Sequence, residues 1–210
     1  MDQNVILVET VPLEFDLESL GCRLRIRPGQ TKFMDRLSRL AEEAARVARP
    51  KAVARLCGLT ILDEEKVQVG EVTFSSPLLR QKMDGLGRAF PYLASEGTEL
   101  ADWSLSLSSS LEQVFASALR EVAVQQAENL LERTLLERYG IAQVSAMNPG
   151  SLKVWSLEEQ VPLFELLAPL PEKLGVTLLP SLMMRPEYSV SGVFFQTDSK
   201  FYNCQLCPKK

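Results

Sequence analysis

The apolar positions of this chain change period several times, and each change marks an element. Residues 4–8, NVILV, are a short apolar run of strand length, and VPLEFDLESLG after them reads as a turn and a short helix ending at Gly21. From Thr31 the residues Phe33, Leu37, Leu40, Ala44 and Val47 recur at helical spacing, with Thr31 suited to cap the start and Pro50 to stop the run. AVARLCGLTIL and KVQVGEVTF are two β-rich runs, and the charged DEEK between them predicts a hairpin. Ser76 and Pro77 open a short helix over SPLLRQKMD, with Gly85 just past its end. RAFPYLASEG predicts a strand, which Pro91 would put at a sheet edge or a bulge because proline has no N–H for a ladder. Leu111, Val114, Phe115, Ala118, Val122, Leu130, Leu131 and Leu135 then describe a long helix over about 111–138 that Gly140 closes. Gln125, Gln126, Glu128 and Asn129 fall on its solvated face.

After Gly140 the pattern shortens. Asn148-Pro149-Gly150 predicts a turn, and Ser156 with Glu159 predicts a capping box ahead of an apolar helix, in whose first turn Pro162 is tolerated. GVTLLPSLMM, SVSGVFF and KFYNCQL supply three strand candidates. Within the second, Gly192 marks either a bulge or a place where something approaches the backbone closely. Strands at both ends around a long helix favour an α+β fold with an antiparallel sheet over a doubly wound parallel one, as a single domain spanning 1–210.

Composition narrows the chemistry. A net charge of -4 gives no broad basic field, which argues against nucleic-acid binding as the main activity. No apolar run approaches the ~20 residues of a membrane helix, and the start lacks the regions of a signal peptide, so a cytoplasmic protein is expected. The chain has no histidine, which removes Ser-His and Cys-His nucleophile pairs, imidazole acid–base chemistry and histidine metal ligands. Cys204 and Cys207 form a CxxC pair, but two thiols are half of a tetrahedral metal site. They complete one only if the fold brings Cys22 and Cys57 to them; redox activity and plain reduced thiols are the other readings.

Two stretches carry a resemblance. NPGSLKVWSLEEQVPLFELL and GVTLLPSLMMRPEYSVSGVFFQTDSKFYN resemble the activation domain of cobalamin-dependent methionine synthase, in particular its small relatives that occur as separate chains beside corrinoid methyltransferases. Pro149-Gly150, Glu165-Leu166-Leu167, Ser189-Val190-Ser191-Gly192 and Phe201-Tyr202 match in order and at nearly the same spacings, within residues 141–207. The resemblance implies a curved, mostly antiparallel sheet flanked by helices and a shallow groove for S-adenosylmethionine. It also implies docking on a corrinoid-carrying methyltransferase partner, whose cobalt is reduced and remethylated. Any lower cobalt ligand would come from that partner, so the absence of histidine is compatible with the role.

Carried over residue by residue, Met147, Pro149, Gly150 and Ser151 form one wall of the groove, and Ser191, Gly192, Phe201 and Tyr202 form the other. If the last segment is a strand, Phe201 and Tyr202 point to opposite faces, with Tyr202 exposed. Three positions depart from the family pattern. Phe201 replaces a tyrosine, Ser151 replaces the tyrosine that often follows the turn glycine, and Ala146 stands where the ligand-binding members carry an arginine. That arginine would grip the ligand's carboxylate as a fork, and Arg185 or Lys153 is the substitute this sequence offers. The departures imply a second reading, a corrinoid-protein cap or scaffold that does not bind S-adenosylmethionine.

Overall fold

In the computed structural model, which describes residues 3–151 and 154–199, the chain begins with β1 (Val5–Val8), α1 (Leu17–Arg23) and α2 (Thr31–Val47). Strands β2 (Lys51–Arg55), β3 (Cys57–Ile61), β4 (Lys66–Val69) and β5 (Val72–Ser75) follow, then α3 (Pro77–Lys82), β6 (Arg88–Ser95), α4 (Thr98–Ser106) and α5 (Ser110–Tyr139). The remainder is β7 (Val144–Met147), a 3₁₀ turn (Leu157–Glu159), α6 (Gln160–Leu167), α7 (Leu170–Leu174), β8 (Thr177–Leu178), β9 (Met184–Arg185) and β10 (Ser189–Gln196). Every strand pairing among the described residues is antiparallel, so the fold is α+β with an antiparallel sheet. No helix among them is long and apolar enough to cross a membrane.

Local signals place most of these boundaries. The Asp16 carboxylate accepts the Ser19 N–H at 3.0 Å and starts α1. The Ser76 hydroxyl accepts the Leu79 N–H at 3.2 Å ahead of Pro77, and Gly140, at φ 61°, closes α5 in the left-handed conformation that glycine adopts most readily. Two capping expectations fail. Thr31 is the first helical residue of α2, with Gln30 before it making no side-chain cap. The Ser156–Glu159 box does not form, because the Glu159 carboxylate reaches across to accept the Ser75 N–H at 3.2 Å while the Ser156 hydroxyl bonds Glu158.

Strand β6 is the centre of the sheet, which overturns the edge or bulge expected from Pro91. One of its sides carries β10, with Ser189 opposite Ser95 and Phe194 opposite Phe90, and β10 carries β7. Its other side carries β2 and then β3 in one unbroken register, Ala54 opposite Tyr92 and Cys57 opposite Ala89. Pro91 lies in the short gap between the two pairings, the first ending at Tyr92 and the second resuming at Ala89, so its missing N–H interrupts the ladder there without shifting the register. β1 flanks β2, and the β3–β4 hairpin forms across DEEK as expected. KVQVGEVTF is itself two strands, β4 and β5, that turn at Gly70, φ 59°.

The sheet is covered on both faces. Val53, Leu93, Val193 and Phe195 point toward α6 and α7, where Trp155 meets Phe74 edge-on at 5.7 Å. Ala52, Phe90, Tyr92 and Phe194 point toward the second half of α5, at Ala127, Leu131 and Leu135. The first half of α5 packs instead on α2 and α4, burying Leu37, Leu40, Leu100, Phe115 and Leu119. Each such large side chain contributes roughly 1.5–3 kcal/mol by leaving water. Burial on two faces explains why β10 is buried from Ser191 through Phe195 and does not alternate between buried and exposed.

Candidate functional site

The resemblance's two walls meet where the end of β7 lies against β10. Val193 stands opposite Met147, and beyond it the chain turns at Asn148-Pro149-Gly150-Ser151. The Ser151 N–H returns to the Asn148 carbonyl at 3.2 Å, and Gly150, at φ 77°, takes the position of such a turn that favours glycine. The Asn148 amide holds the turn to the sheet. Its Nδ2 donates to the Ser191 carbonyl at 2.8 Å and to the Tyr92 hydroxyl at 2.7 Å. That hydroxyl in turn donates to Glu128 Oε1 on α5 at 2.6 Å, and the Tyr92 ring stacks on Phe194 at 3.9 Å. Burial pushes the Tyr92 hydroxyl well above its ordinary range and the nearby Glu128 carboxylate pushes it further, so it stays a neutral donor.

Gly192 sits beneath this network. A Cβ there would stand 2.4 Å from the Met147 carbonyl oxygen, 2.5 Å from Asn148 Nδ2 and 2.9 Å from the Tyr92 ring. The close approach expected at this glycine is therefore made by the chain itself. Met147, Pro149, Ser191 and Gly192 are buried, whereas Gly150 and Ser151 are exposed at the turn's tip. Exposed Leu157 and Val161, and Val154 ahead of them, extend an apolar surface beside that tip, and Leu157 packs against Gly150.

The assembly of sheet, long helix and turn is similar to a solved structure, the reactivation domain of MetH bound to AdoHcy. The match has a TM-score of 0.63 at 17% identity and covers 94% of this chain and 80% of that one. The chain has a methionine synthase reactivation-domain-like fold. No protein-family model matches the sequence, and no curated protein matches it either. The reactivation-domain likeness takes in the first half of the chain, well outside the residues that carry the sequence resemblance.

Several candidates from the sequence fall elsewhere. Phe201, Tyr202, Cys204, Cys207 and Lys153 lie outside the described residues. Ala146 is half-buried opposite Phe194 and packs under α5, so no cationic group projects from its position. Arg185 is exposed on β9, beside a cavity that the turn does not line. Cys22 is exposed on α1, while Cys57 is buried in the sheet core, where burial pushes its thiol up to about 11. Among the described residues no three acidic or cysteine side chains are grouped to hold a metal ion.

Three members of the turn network were missed in the sequence. Asn148 reads there only as a turn former, Tyr92 as one more strand aromatic, and Glu128 as part of a solvated face. Their signal is parity: Phe90, Tyr92 and Ala94 share the strand face that meets α5, and a hydroxyl there requires a partner from the helix. On the neighbouring turn of α5, Gln126 clasps the backbone of Glu14, accepting its N–H at 3.1 Å and donating to its carbonyl at 2.5 Å. The clasp forms one side of a cavity of about 540 Å³ that Phe15, Asp16, Asn129 and Arg133 also line.

Proposed function

We propose that this protein is a cytoplasmic accessory of a corrinoid-dependent methyltransferase system. It docks on a corrinoid-carrying partner and supports reductive reactivation and methylation of the partner's cobalt, with S-adenosylmethionine as methyl donor. The observation that carries the reading is the likeness, over nearly the whole chain, to a reactivation domain whose solved form holds AdoHcy. The methyl transfer itself is cofactor chemistry, so what the protein supplies is orientation. In this reading the exposed Gly150 and Ser151 touch the donor, and buried Met147, Pro149, Ser191 and Gly192 hold that wall in place through Asn148. The apolar surface of Val154, Leu157 and Val161 meets the partner beside it.

A second reading rests on Ala146. With an alanine packed under α5 in place of the forked arginine, the same fold serves as a corrinoid-protein cap that binds no methyl donor. Thermal unfolding with and without S-adenosylmethionine separates the two. A ligand at ~100 times its Kd adds about 2.7 kcal/mol, a rise on the order of 5–10 °C for a chain of this size. Such a rise, lost in Ser151→Trp, supports the methyl-donor reading. No rise at millimolar ligand, together with binding to a corrinoid protein, leaves the cap. Failure to bind any corrinoid protein or to perturb its cobalt spectrum removes both.

A further inference from the structure

A cavity of about 350 Å³ opens between α4, the first half of α5 and the β8–β9 hairpin, and no residue of the turn network lines it. Its charged centre is Arg120, whose side chain is only 9% exposed. Arg120 Nε and Nη2 donate to the two carboxylate oxygens of fully buried Glu96 at 2.6 and 2.7 Å, and its guanidinium carbon lies 4.5 Å from the Tyr188 ring centre. Both contacts lock the group in one orientation. The third nitrogen, Nη1, is approached by Glu187 only to 3.8 Å, beyond hydrogen-bond distance, and the Glu187 side chain is 75% exposed. A guanidinium held this way, with Nη1 making no hydrogen bond among the described residues, is a preorganised donor.

The rest of the lining has a definite chemistry. Arg185 adds a second cation, Asp102 and Glu187 supply two acids, and Ala101, Leu105 and Pro186 supply apolar walls. Leu105 is 79% exposed at the edge of the cavity, so a ligand's apolar part can take its side chain out of water. A simple anion in this cavity would face two carboxylates, and a simple cation would face two guanidinium groups. A molecule with one charge of each sign and an apolar body satisfies both sets.

From this juxtaposition we infer a second binding site, for a free apolar amino acid. The carboxylate takes Arg120 Nη1 and Arg185, the ammonium takes Asp102 and Glu187, and the side chain covers Leu105. The volume lies at the small end of ligand pockets, which suits a molecule of leucine size. The inference does not depend on the proposed function, because the residues it uses are not part of the turn site.

Calorimetric titration of the full chain, repeated as thermal unfolding, tests it with L-leucine, L-methionine and L-phenylalanine. 4-Methylpentanoate and 3-methylbutylamine serve as controls that keep the apolar body of leucine and lose one charge each. At least one amino acid is expected to bind with a Kd of about 1 mM or tighter, and each control about tenfold more weakly than leucine. Arg185→Ala and Asp102→Ala, both at exposed positions, should each weaken binding about tenfold while leaving the Tm of the free protein unchanged. The inference is overturned by binding of none of the three, by a control that binds as tightly as leucine, or by unchanged binding in either variant.

Discussion

Strand β6 and helix α5 are bridged by polar side chains twice, and the two bridges differ in kind. At one, Tyr92 donates to Glu128; at the other, just past the end of β6, Glu96 pairs with Arg120. The spacings are commensurate: four residues of strand from Tyr92 to Glu96 span about 13 Å, and eight residues of helix from Arg120 to Glu128 span about 12 Å. The first bridge has one ionisable end that stays neutral, and through Asn148 it continues to an exposed turn. The second is a closed pair of charges in which burial pushes the Glu96 carboxyl up against the pull of Arg120. Burial also works against the Arg120 charge, but the Glu96 carboxylate outweighs it and holds the guanidinium above its ordinary range. The same two elements are thus tied once by a hydrogen bond that can be lost at modest cost and once by charges that cannot be separated cheaply.

The largest effect should come from breaking the charged bridge. Arg120→Met leaves Glu96 buried and unpaired and is expected to cost about 3–5 kcal/mol in denaturant unfolding, whereas adding Glu96→Leu to it should restore most of the loss. A double variant as unstable as the single would show that the loss at Arg120 is packing and not charge. Next comes the support of the other bridge. Gly192→Ala drives a methyl into the Met147 carbonyl and the Asn148 amide, and a loss of about 1–3 kcal/mol is expected. Tyr92→Phe keeps the Phe194 stack and removes only the hydroxyl, so a smaller loss, about 1–2 kcal/mol, should appear, with faster amide exchange in the 148–151 turn. Unchanged exchange there would detach the turn from the Tyr92 bridge.

The smallest effect sharpens the comparison with a half-buried acid, Glu159, that has no cation beside it among the described residues. Burial holds the Glu159 carboxyl above its ordinary range, against the pull of the Ser75 N–H and the Trp155 indole. Its ionised form therefore costs the folded state, and stability falls as pH rises from the ordinary glutamate range through the raised folded value. Glu159→Gln should be slightly more stable than the parent near neutral pH and indistinguishable from it at about pH 4, read as a denaturant midpoint. Equal midpoints at both would mean that the bond to Ser75 offsets the burial.

Most elements were legible in the sequence because their signals are local. Helix α5 has its apolar repeat and its closing glycine, α3 its Ser-Pro start, and the β3–β4 hairpin its charged turn. Elements without such signals were not read. Helix α4 carries only two buried side chains, Leu100 and Ser104, and β7 is four residues leading into a turn that dominates its neighbourhood. Pro91 misled because a missing N–H is a local fact, while its harmlessness depends on where two other strands part. The candidate site was half legible: the Asn-Pro-Gly turn and Gly192 stand out in the chain, but what approaches the glycine does not.

What the sequence determined by itself is set by neighbours a few residues apart: periodicity, caps, turns, the α+β order and the chemistry that a chain without histidine cannot perform. Only the tertiary structure decided which face of β6 meets which turn of α5. Tyr92 and Glu128 are 36 residues apart in the chain, and Glu96 and Arg120 are 24 apart. The pairings follow from a strand and a helix laid side by side with matching rises. A polar group buried at such a contact must find a partner there, and the sequence of either element alone does not say which one arrives.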